Sequence, residues 1–307
     1  PHYGTPENPI YKGSVPGGST SGGAVSVALD IADITIGTDT GGSTRIPAAY
    51  TGITGFKPTQ DTISREGCLV LSKTLDSVGI MAKNTALCKL AYEAMNERPK
   101  SKKHYDINNN FTITIPTNFG FDNIESDIQS TFHIAKQKII NNGINVVEVN
   151  LPILDRYKKV PLWQFAAVEC QTEYFDAYRD TPELIDPNIL KRMHRANDVK
   201  AVEYNLLLKV RQKMIEMFNN ELGDGFLLMP TVTIKPPLLK DCNDTKHYDE
   251  VNLISLQNTT LANFMNGCSI SIPFSNNNTT MGIMLNGSTN MDYQLLEIGA
   301  IIEKILK

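Results

Sequence analysis

Two glycine-rich loops carry the hydroxyl groups of this sequence that could do chemistry. The first, PGGSTSGGA at residues 16–24, contains Ser19, and the second, TDTGGST at residues 38–44, contains Ser43 directly after two glycines. Glycine lets the backbone approach a ligand closely, and consecutive N–H groups in such a turn can stabilise an oxyanion. A serine at the end of such a turn is therefore a candidate nucleophile for acyl transfer, provided that a base lies within hydrogen-bond reach.

Several known loop chemistries do not fit these two segments. Neither has the G-x-x-x-x-G-K-[ST] pattern of a phosphate-binding loop or the G-x-G-x-x-G pattern of a dinucleotide site. The nucleophile elbow G-x-S-x-G is not met, because Thr20 stands at the centre of the segment from Gly18 to Gly22. The histidines lie outside any pattern with a serine, so spacing does not support a Ser-His-Asp triad. A flexible linker is the structural alternative for the first loop.

Composition and charge limit the classes of function. The 307 residues are 41% apolar, which is typical of a globular protein. The net charge is −4, so the sequence does not have the basic character that predicts nucleic-acid binding. We interpret the short basic run at residues 98–104 as a solvated loop. The chain has no run of 18 apolar residues that would predict a membrane span, and residues 1–9 do not resemble a signal peptide.

The cysteines indicate a reduced protein without a metal site. They are odd in number, widely scattered, and show neither a C-x-x-C pair nor a zinc-like spacing to histidine. We therefore expect a cytoplasmic protein without a cysteine–histidine metal site. The five residues are Cys68, Cys88, Cys170, Cys242 and Cys268.

Hydrophobic patterning predicts an α/β fold. Strand-like runs at residues 112–116 and 145–149 flank a helix that carries apolar residues from Ile128 to Ile139 at helical spacing. This βαβ unit implies parallel pairing, so we expect a single large domain with a central mixed, largely parallel twisted sheet flanked by helices. The other predicted elements are helices at 24–32, 188–222 and the C-terminus, strands at 33–37, 53–57, 226–231, 269–273 and 280–285, and loops at 98–111 and 232–252.

The two loops with their flanking residues resemble the amidase signature family. PGGSTSGGAVSVAL at 16–29 and IGTDTGGSTRIPAAYTGITGFKPT at 36–59 are similar to the family's two serine loops and the G-KPT element that follows them. The interval of 24 residues from Ser19 to Ser43 equals the separation of the family's two serines. Weaker matches that keep the family's order are TLDSVG at 74–79, LLMPT at 227–231 and FMNGCSISIPFS at 264–275.

The resemblance implies a Ser, cis-Ser, Lys triad. Ser43 would attack the amide carbonyl and form an acyl-enzyme, while Ser19 would relay the proton from a cis Gly18–Ser19 peptide. Backbone N–H groups would form the oxyanion hole, and other residues would support the loops. The oxyanion hole would consist of Thr40, Gly41, Gly42 and Ser43, and the supporting residues would be Gly18, Asp39, Arg45 and Thr59.

The lysine of this triad has no matching position in the chain. In the family it lies well before the first glycine loop, whereas Lys57 matches the structural lysine of KPT and Lys12 matches no catalytic position. We expect one domain over residues 1–307, with a signature core at about 13–84, that lacks the N-terminal part of a family member. The catalytic lysine would then lie upstream of Pro1.

The resemblance implies an amidase that hydrolyses a linear C–N bond of a small-molecule amide, with no direct nucleic-acid or membrane partner. Whether it forms a homodimer is left open. One alternative is the glutaminase (A) subunit of a tRNA-dependent amidotransferase, and another is an inactive amidase-like scaffold that lacks the lysine. Trp163, Phe165 and Tyr174 could line a substrate pocket or belong to the core.

Overall fold

The computed structural model of the protein describes residues 4–96, 111–243 and 245–307. The basic run at 98–104 and all but Phe111 of the predicted loop at 98–111 lie outside these ranges. The helices are α1 (Ser21–Ala28), α2 (Arg45–Thr51), α3 (Thr85–Met95), α4 (Ser126–Asn141), α5 (Pro152–Tyr157), α6 (Trp163–Glu173), α7 (Phe175–Asp180), α8 (Pro187–His194), α9 (Ala201–Leu222), α10 (Thr245–Leu256), α11 (Thr260–Phe264) and α12 (Asp292–Leu306). The strands are β1 (Ile34–Asp39), β2 (Thr54–Lys57), β3 (Ser77–Ala82), β4 (Thr112–Pro116), β5 (Asn145–Val149), β6 (Phe226–Pro230), β7 (Cys268–Asn276) and β8 (Thr279–Gly287).

The described strands form one sheet in the order β1-β3-β2-β7-β8-β6-β4-β5. The sheet is mixed, as predicted, but the expectation that it is largely parallel is wrong. Five of the seven described pairings are antiparallel, and the two parallel ones both involve β4. For one of these pairings the reason is connection length, since only Asn277 and Asn278 join β7 to β8 and a hairpin so short imposes antiparallel pairing.

The βαβ unit predicted from the sequence is present. β4 and β5 cover the two predicted strand ranges and pair in parallel, with α4 as the crossover helix between them. The apolar residues of α4 that the pattern selected, from Ile128 to Ile139, are buried in the main core. The apolar face of α4, which repeats every 3.6 residues, therefore positions this helix by packing against the sheet.

The predicted helical region at 188–222 is divided in two. A 3-10 turn at Arg195–Asp198 separates α8 from α9, which begins at Ala201. Leu207 and Val210 have the spacing of residues on one helix face, but Leu207 is buried whereas Val210 is 45% exposed. The predicted loop at 232–252 is also shorter than expected, because α10 occupies its last part.

Helices cover both faces of the sheet, and β6 shows how. Phe226 and Leu228 point into a core cluster with residues of α3, α4 and α12. Leu227 and Met229 point into a second cluster with residues of α5, α6, α9 and α11. Alternate side chains of a strand face opposite sides, so a run of apolar residues here serves two cores. Phe165 lies in the second cluster and is a core residue.

Candidate active site

The loop formed by residues 40–44 connects the end of β1 to the start of α2 and carries Ser43. The first glycine loop lies beside it, because the Thr20 N–H donates to the Ser43 carbonyl oxygen over 3.2 Å. The Gly18–Ser19 peptide is cis, as the resemblance implies. Ser43 is half-buried and Ser19 is exposed. The two serine loops are therefore neighbours in space although a helix and a strand separate them in sequence.

The polar groups around Ser43 are open to a ligand. Within the described residues, the hydroxyls of Ser19 and Ser43 have no hydrogen-bond partner, and the N–H groups of Gly41, Gly42 and Ser43 donate to no protein acceptor. Backbone N–H groups are strong donors, and those that are buried, as Gly42 is, are almost always paired in a folded protein. Three successive N–H groups that remain available beside one hydroxyl could bind a negatively charged oxygen.

A fully buried ion pair closes the base of this loop. Arg45 Nη2 lies 2.8 Å from Asp39 Oδ1 and Arg45 Nε lies 3.1 Å from Asp39 Oδ2, and both side chains are 0% exposed. The Thr44 N–H and hydroxyl also donate to Asp39 Oδ2, over 3.2 and 2.9 Å. Burial alone would raise the pKa of the Asp39 carboxyl, but the Arg45 charge and the hydrogen bonds hold it well below its usual value. The carboxylate therefore stays ionised and links both ends of the loop.

Residues from the later part of the chain complete this buried network. Asn263 in α11 accepts from Arg45 Nη2 over 2.7 Å and donates through Nδ2 to the Asp39 carbonyl oxygen, also over 2.7 Å. Ser269 in β7 accepts from Arg45 Nη1 over 3.2 Å. Sequence reasoning did not select these two residues. Their only signal was that they border or lie in the family-like stretch at 264–275.

Asp76 holds the other side of the loop. The Thr40 hydroxyl donates to Asp76 Oδ1 over 2.6 Å, while Asp76 Oδ2 accepts from the N–H groups of Leu71 and Ser72 over 2.9 and 3.0 Å. Asp76 belongs to the TLDSVG match at 74–79, which the sequence indicated without giving this residue a role. Its carboxylate connects the loop after β1 to the segment before β3.

An open cavity of about 350 Å³ adjoins Asp76. Charged side chains of both signs and apolar side chains line it, and neither Ser19 nor Ser43 is among them. The lining residues are Thr38, Asp61, Arg65, Cys68, Leu69, Val70, Lys73 and Asp76. The cavity is thus next to the loop through Asp76 and does not contain the candidate nucleophile.

Neither lysine near the serines in sequence reaches them. Lys57 is buried and donates through Nζ to the Pro58 carbonyl oxygen over 2.7 Å, and burial together with a neighbouring guanidinium lowers its pKa to about 8. Lys12 is exposed. Thr59, expected to support the loops, donates through its N–H to Asp292 in α12 over 2.7 Å. This part of the KPT element therefore fastens β2 to the C-terminal helix.

Metal-binding and membrane-spanning features were searched in the described ranges. These residues contain no group of three or more histidine, cysteine, aspartate or glutamate side chains that could hold a metal ion. In the same ranges, no helix has both the length and the apolar character needed to cross a membrane. The five cysteines are free, and three of them are buried.

Comparison with known proteins places these features in a family. The family model described as Amidase matches residues 1–296. The chain is 29% identical over 323 residues to 2-amino-5-chloromuconic acid deaminase of Comamonas testosteroni, covering 99% of this chain and 68% of the deaminase. It is 33% identical over 263 residues to the glutamyl-tRNA(Gln) amidotransferase (A) subunit of Methanobrevibacter smithii, covering 78% of this chain and 58% of that protein.

A solved structure has the same fold. The crystal structure of an amidase superposes with a TM-score of 0.86 at 24% sequence identity, covering 98% of this chain and 69% of the amidase chain. The chain thus spans roughly two thirds or less of the length of these proteins. Because the family model matches nearly the whole chain and the two serine loops lie side by side in the fold, this protein belongs to the amidase family.

Proposed function

We propose that this protein hydrolyses the C–N bond of a linear amide through an acyl-enzyme on Ser43. The observation that carries the proposal is the loop at 40–44, where the half-buried Ser43 lies beside three N–H groups that donate to no described protein atom. Donors aimed at the position where negative charge develops are often the largest single contribution to acyl-transfer catalysis. Membership of the amidase family supports the same class of reaction.

In the proposed reaction, Ser43 Oγ forms a bond to the amide carbonyl carbon and its proton passes to Ser19 Oγ, while the Ser19 hydroxyl proton passes to the base behind Ser19. The carbonyl oxygen becomes an oxyanion that accepts hydrogen bonds from N–H groups of residues 40–43. The C–N bond then breaks, the leaving nitrogen takes up the proton that returns from this base through Ser19, and an acyl-Ser43 ester remains. Water hydrolyses this ester and restores the Ser43 hydroxyl.

The relay through Ser19 requires a base behind it, since a serine hydroxyl is a poor acid and a poor base by itself. We expect this base to be the lysine of the triad that the family resemblance implies. Lys57 does not fit the role, because its Nζ is buried and bonded to the Pro58 carbonyl oxygen. Metal and organic cofactors have no part in the proposed mechanism.

The test is labelling with a serine-directed fluorophosphonate, followed by mapping of the adduct. The reaction forms an Oγ–P bond and releases fluoride, and we expect the adduct on Ser43 alone. Ser43→Ala should lose labelling and amide hydrolysis while keeping the fold. Ser26→Ala is a matched control, because that hydroxyl donates to the Gly23 carbonyl within α1 over 2.8 Å. An adduct on another serine, or turnover by Ser43→Ala near the unmodified rate, would refute the assignment.

A glutaminase component of a tRNA-dependent amidotransferase is the second candidate, favoured by the 33% identity to the Methanobrevibacter smithii protein. Both candidates use the same serine loops, so labelling does not separate them. Glutamine hydrolysis that rises when the other amidotransferase components are added would favour the second candidate. Hydrolysis of small amides by this chain without such partners would favour the free amidase. A protein that fails both assays and is not labelled would be the inactive scaffold.

We also propose a cytoplasmic location, supported by the five free cysteines. The expected partner is a small-molecule amide. The homodimer left open by the sequence remains a prediction that measurement of mass in solution would test.

A further inference from the structure

The Gly41 carbonyl oxygen is held from the segment between α10 and α11. Thr259 Oγ1 donates to it over 2.5 Å, and Thr260 Oγ1 lies 3.2 Å from it. Both hydroxyls also approach the Leu256 carbonyl oxygen, at 3.4 Å for Thr259 and 2.8 Å for Thr260. A hydroxyl has only one proton to donate. The shorter distance in each case indicates that Thr259 donates mainly to Gly41 and Thr260 mainly to Leu256.

Because the peptide bond is planar, this contact also determines the orientation of the Gly42 N–H. The six atoms of the Gly41–Gly42 peptide lie in one plane, and in a trans peptide the C=O and the N–H point in opposite directions. Fixing the Gly41 carbonyl oxygen toward Thr259 therefore fixes the Gly42 N–H on the opposite face. This N–H is one of the three that donate to no described protein acceptor.

Thr259 also packs against the turn that it bonds. Its side chain is 0% exposed, and a Cβ built on Gly42 would lie only 2.3 Å from Thr259 Oγ1. Gly42 has φ +136°, a conformation that residues with a side chain rarely adopt. The threonine thus occupies the space where a side chain of residue 42 would be.

The hydroxyl of Thr259 is not needed for the helix that follows. Thr259 is the N-cap residue of α11, but its side chain makes no capping hydrogen bond. α11 is instead tied to the loop at a second point, because Asn263 Nδ2 donates to the Asp39 carbonyl oxygen over 2.7 Å. One short helix with its cap residue therefore holds both Asp39 and Gly41.

We propose that Thr259 is a positioning residue for the oxyanion hole. Its hydroxyl orients the Gly41–Gly42 peptide so that the Gly42 N–H points at the oxyanion that forms beside Ser43. Thr259 itself contacts neither the substrate nor the reacting atoms. This inference rests on the function proposed above, in which Ser43 is the nucleophile.

The experiment compares two substitutions of Thr259 that separate hydrogen bonding from packing. Thr259→Val keeps the shape of the side chain and removes the hydroxyl, whereas Thr259→Ser keeps the hydroxyl and removes the methyl group. The probe is a fluorophosphonate, and the readout is the second-order rate of labelling at Ser43. We expect Val to slow labelling about tenfold to 100-fold, less than the loss of an entire oxyanion donor, and Ser to remain within about threefold of the unmodified protein.

Two further variants control for indirect effects. Thr51→Val removes another buried threonine hydroxyl that donates to a carbonyl oxygen, that of Pro47 in α2 over 2.7 Å, and should leave the rate unchanged. Thr260→Val should have a smaller effect than Thr259→Val, because its main hydrogen bond is to Leu256. Melting temperatures of all variants show whether each one folds.

The outcomes separate this inference from the proposed function. If unmodified protein is not labelled at Ser43, the proposed function fails. If Ser43 is labelled at the same rate in unmodified protein and folded Thr259→Val, the proposed function stands and the positioning role is refuted. If Ser slows labelling more than Val, packing explains the effect and the positioning role is also refuted. If Thr259→Val does not fold, the Thr259→Ser rate decides: a rate near that of unmodified protein supports the role.

Discussion

Replacing Arg45 by methionine would remove the cation of the buried ion pair and leave its carboxylate in place. Asp39 would keep the hydrogen bonds from Thr44 and Asn263 but would lose the two charged contacts at 2.8 and 3.1 Å. Removal of one partner from a buried pair costs about 3–5 kcal/mol, because the remaining charge is buried without compensation. A protein of this kind has a free energy of unfolding of about 5–15 kcal/mol, so this loss is a large part of it.

The chain contains a matched control for this substitution. Arg65 and Asp61 form a pair with the same two contact distances, 2.8 and 3.1 Å, but their side chains are 27% and 62% exposed. Exposed pairs contribute about 0–1 kcal/mol. Arg65→Met should therefore change the free energy of unfolding by at most about 1 kcal/mol, although the contact distances of its ion pair are the same.

Urea unfolding at several pH values checks both the magnitude and its cause. In the unmodified protein the depressed pKa of Asp39 contributes stability that is present above the unfolded pKa of about 3.9 and is lost as pH falls below it. In Arg45→Met the buried, unpaired carboxyl should have a raised pKa, so acid relieves its penalty. The difference in unfolding free energy between the two proteins should therefore shrink as pH falls from 7 to 4. A loss below about 1 kcal/mol at pH 7, or one that does not change with pH, would refute the reasoning.

Two further substitutions test the loop and a buried lysine. Gly42→Ala should abolish labelling of Ser43, because its Cβ would lie 2.3 Å from Thr259 Oγ1. Gly13→Ala is the control and should keep labelling, since Gly13 also has a positive φ but no atom lies within 4 Å of its Cβ position. Equal labelling of the two variants would contradict the role of this close contact. Lys57 has a pKa of about 8 in the folded protein against an ordinary value of 10.5, so the unfolded chain binds more protons between these pH values. The contribution of Lys57 to the free energy of unfolding should therefore increase by about 3 kcal/mol as the pH rises from 8 to 10.5. Lys57→Met should lack this rise in urea unfolding at pH 7.5 and 10.5, and an equal rise in both proteins would show that Lys57 is not its source.

The sequence predicted local elements well where one periodicity ran without interruption. β4 and β5 have the expected bounds, and α4 buries the face that its period of 3.6 predicts, because a few neighbouring residues define each of these patterns. The direction of strand pairing was predicted incorrectly because it depends on which strands become neighbours in the sheet, and local patterns do not specify this. β2, for example, pairs with β7 more than 200 residues later, and nothing local to either strand specifies that contact.

The candidate site was predictable to the extent that it consists of adjacent residues. Ser19, Ser43 and the glycines around them form two short motifs, and the fold places these motifs side by side. Thr259 and Asn263 could not be identified in this way, since they act on residues more than 200 positions earlier. A threonine at the start of a short helix, such as Thr259, is common for helix capping alone, so its residue type does not reveal a distant partner.

The two sets of contacts on loop 40–44 should have separable effects. A buried ion pair is weak evidence for net stability, since well-packed apolar residues of similar volume are often at least as stable. The Asp39–Arg45 pair is better explained by the geometry that it imposes, because Asp39 ends β1 and Arg45 begins α2, and their bidentate contact fixes the distance that the loop must span.

Arg45→Met should therefore lower stability and labelling of Ser43 together. Thr259→Val should lower labelling with little change in stability, because only one peptide plane loses its orientation. If both variants lost stability and labelling rate in the same proportion, the ion pair and the Thr259 hydrogen bond would not have separable effects on the loop, and this reasoning would be wrong.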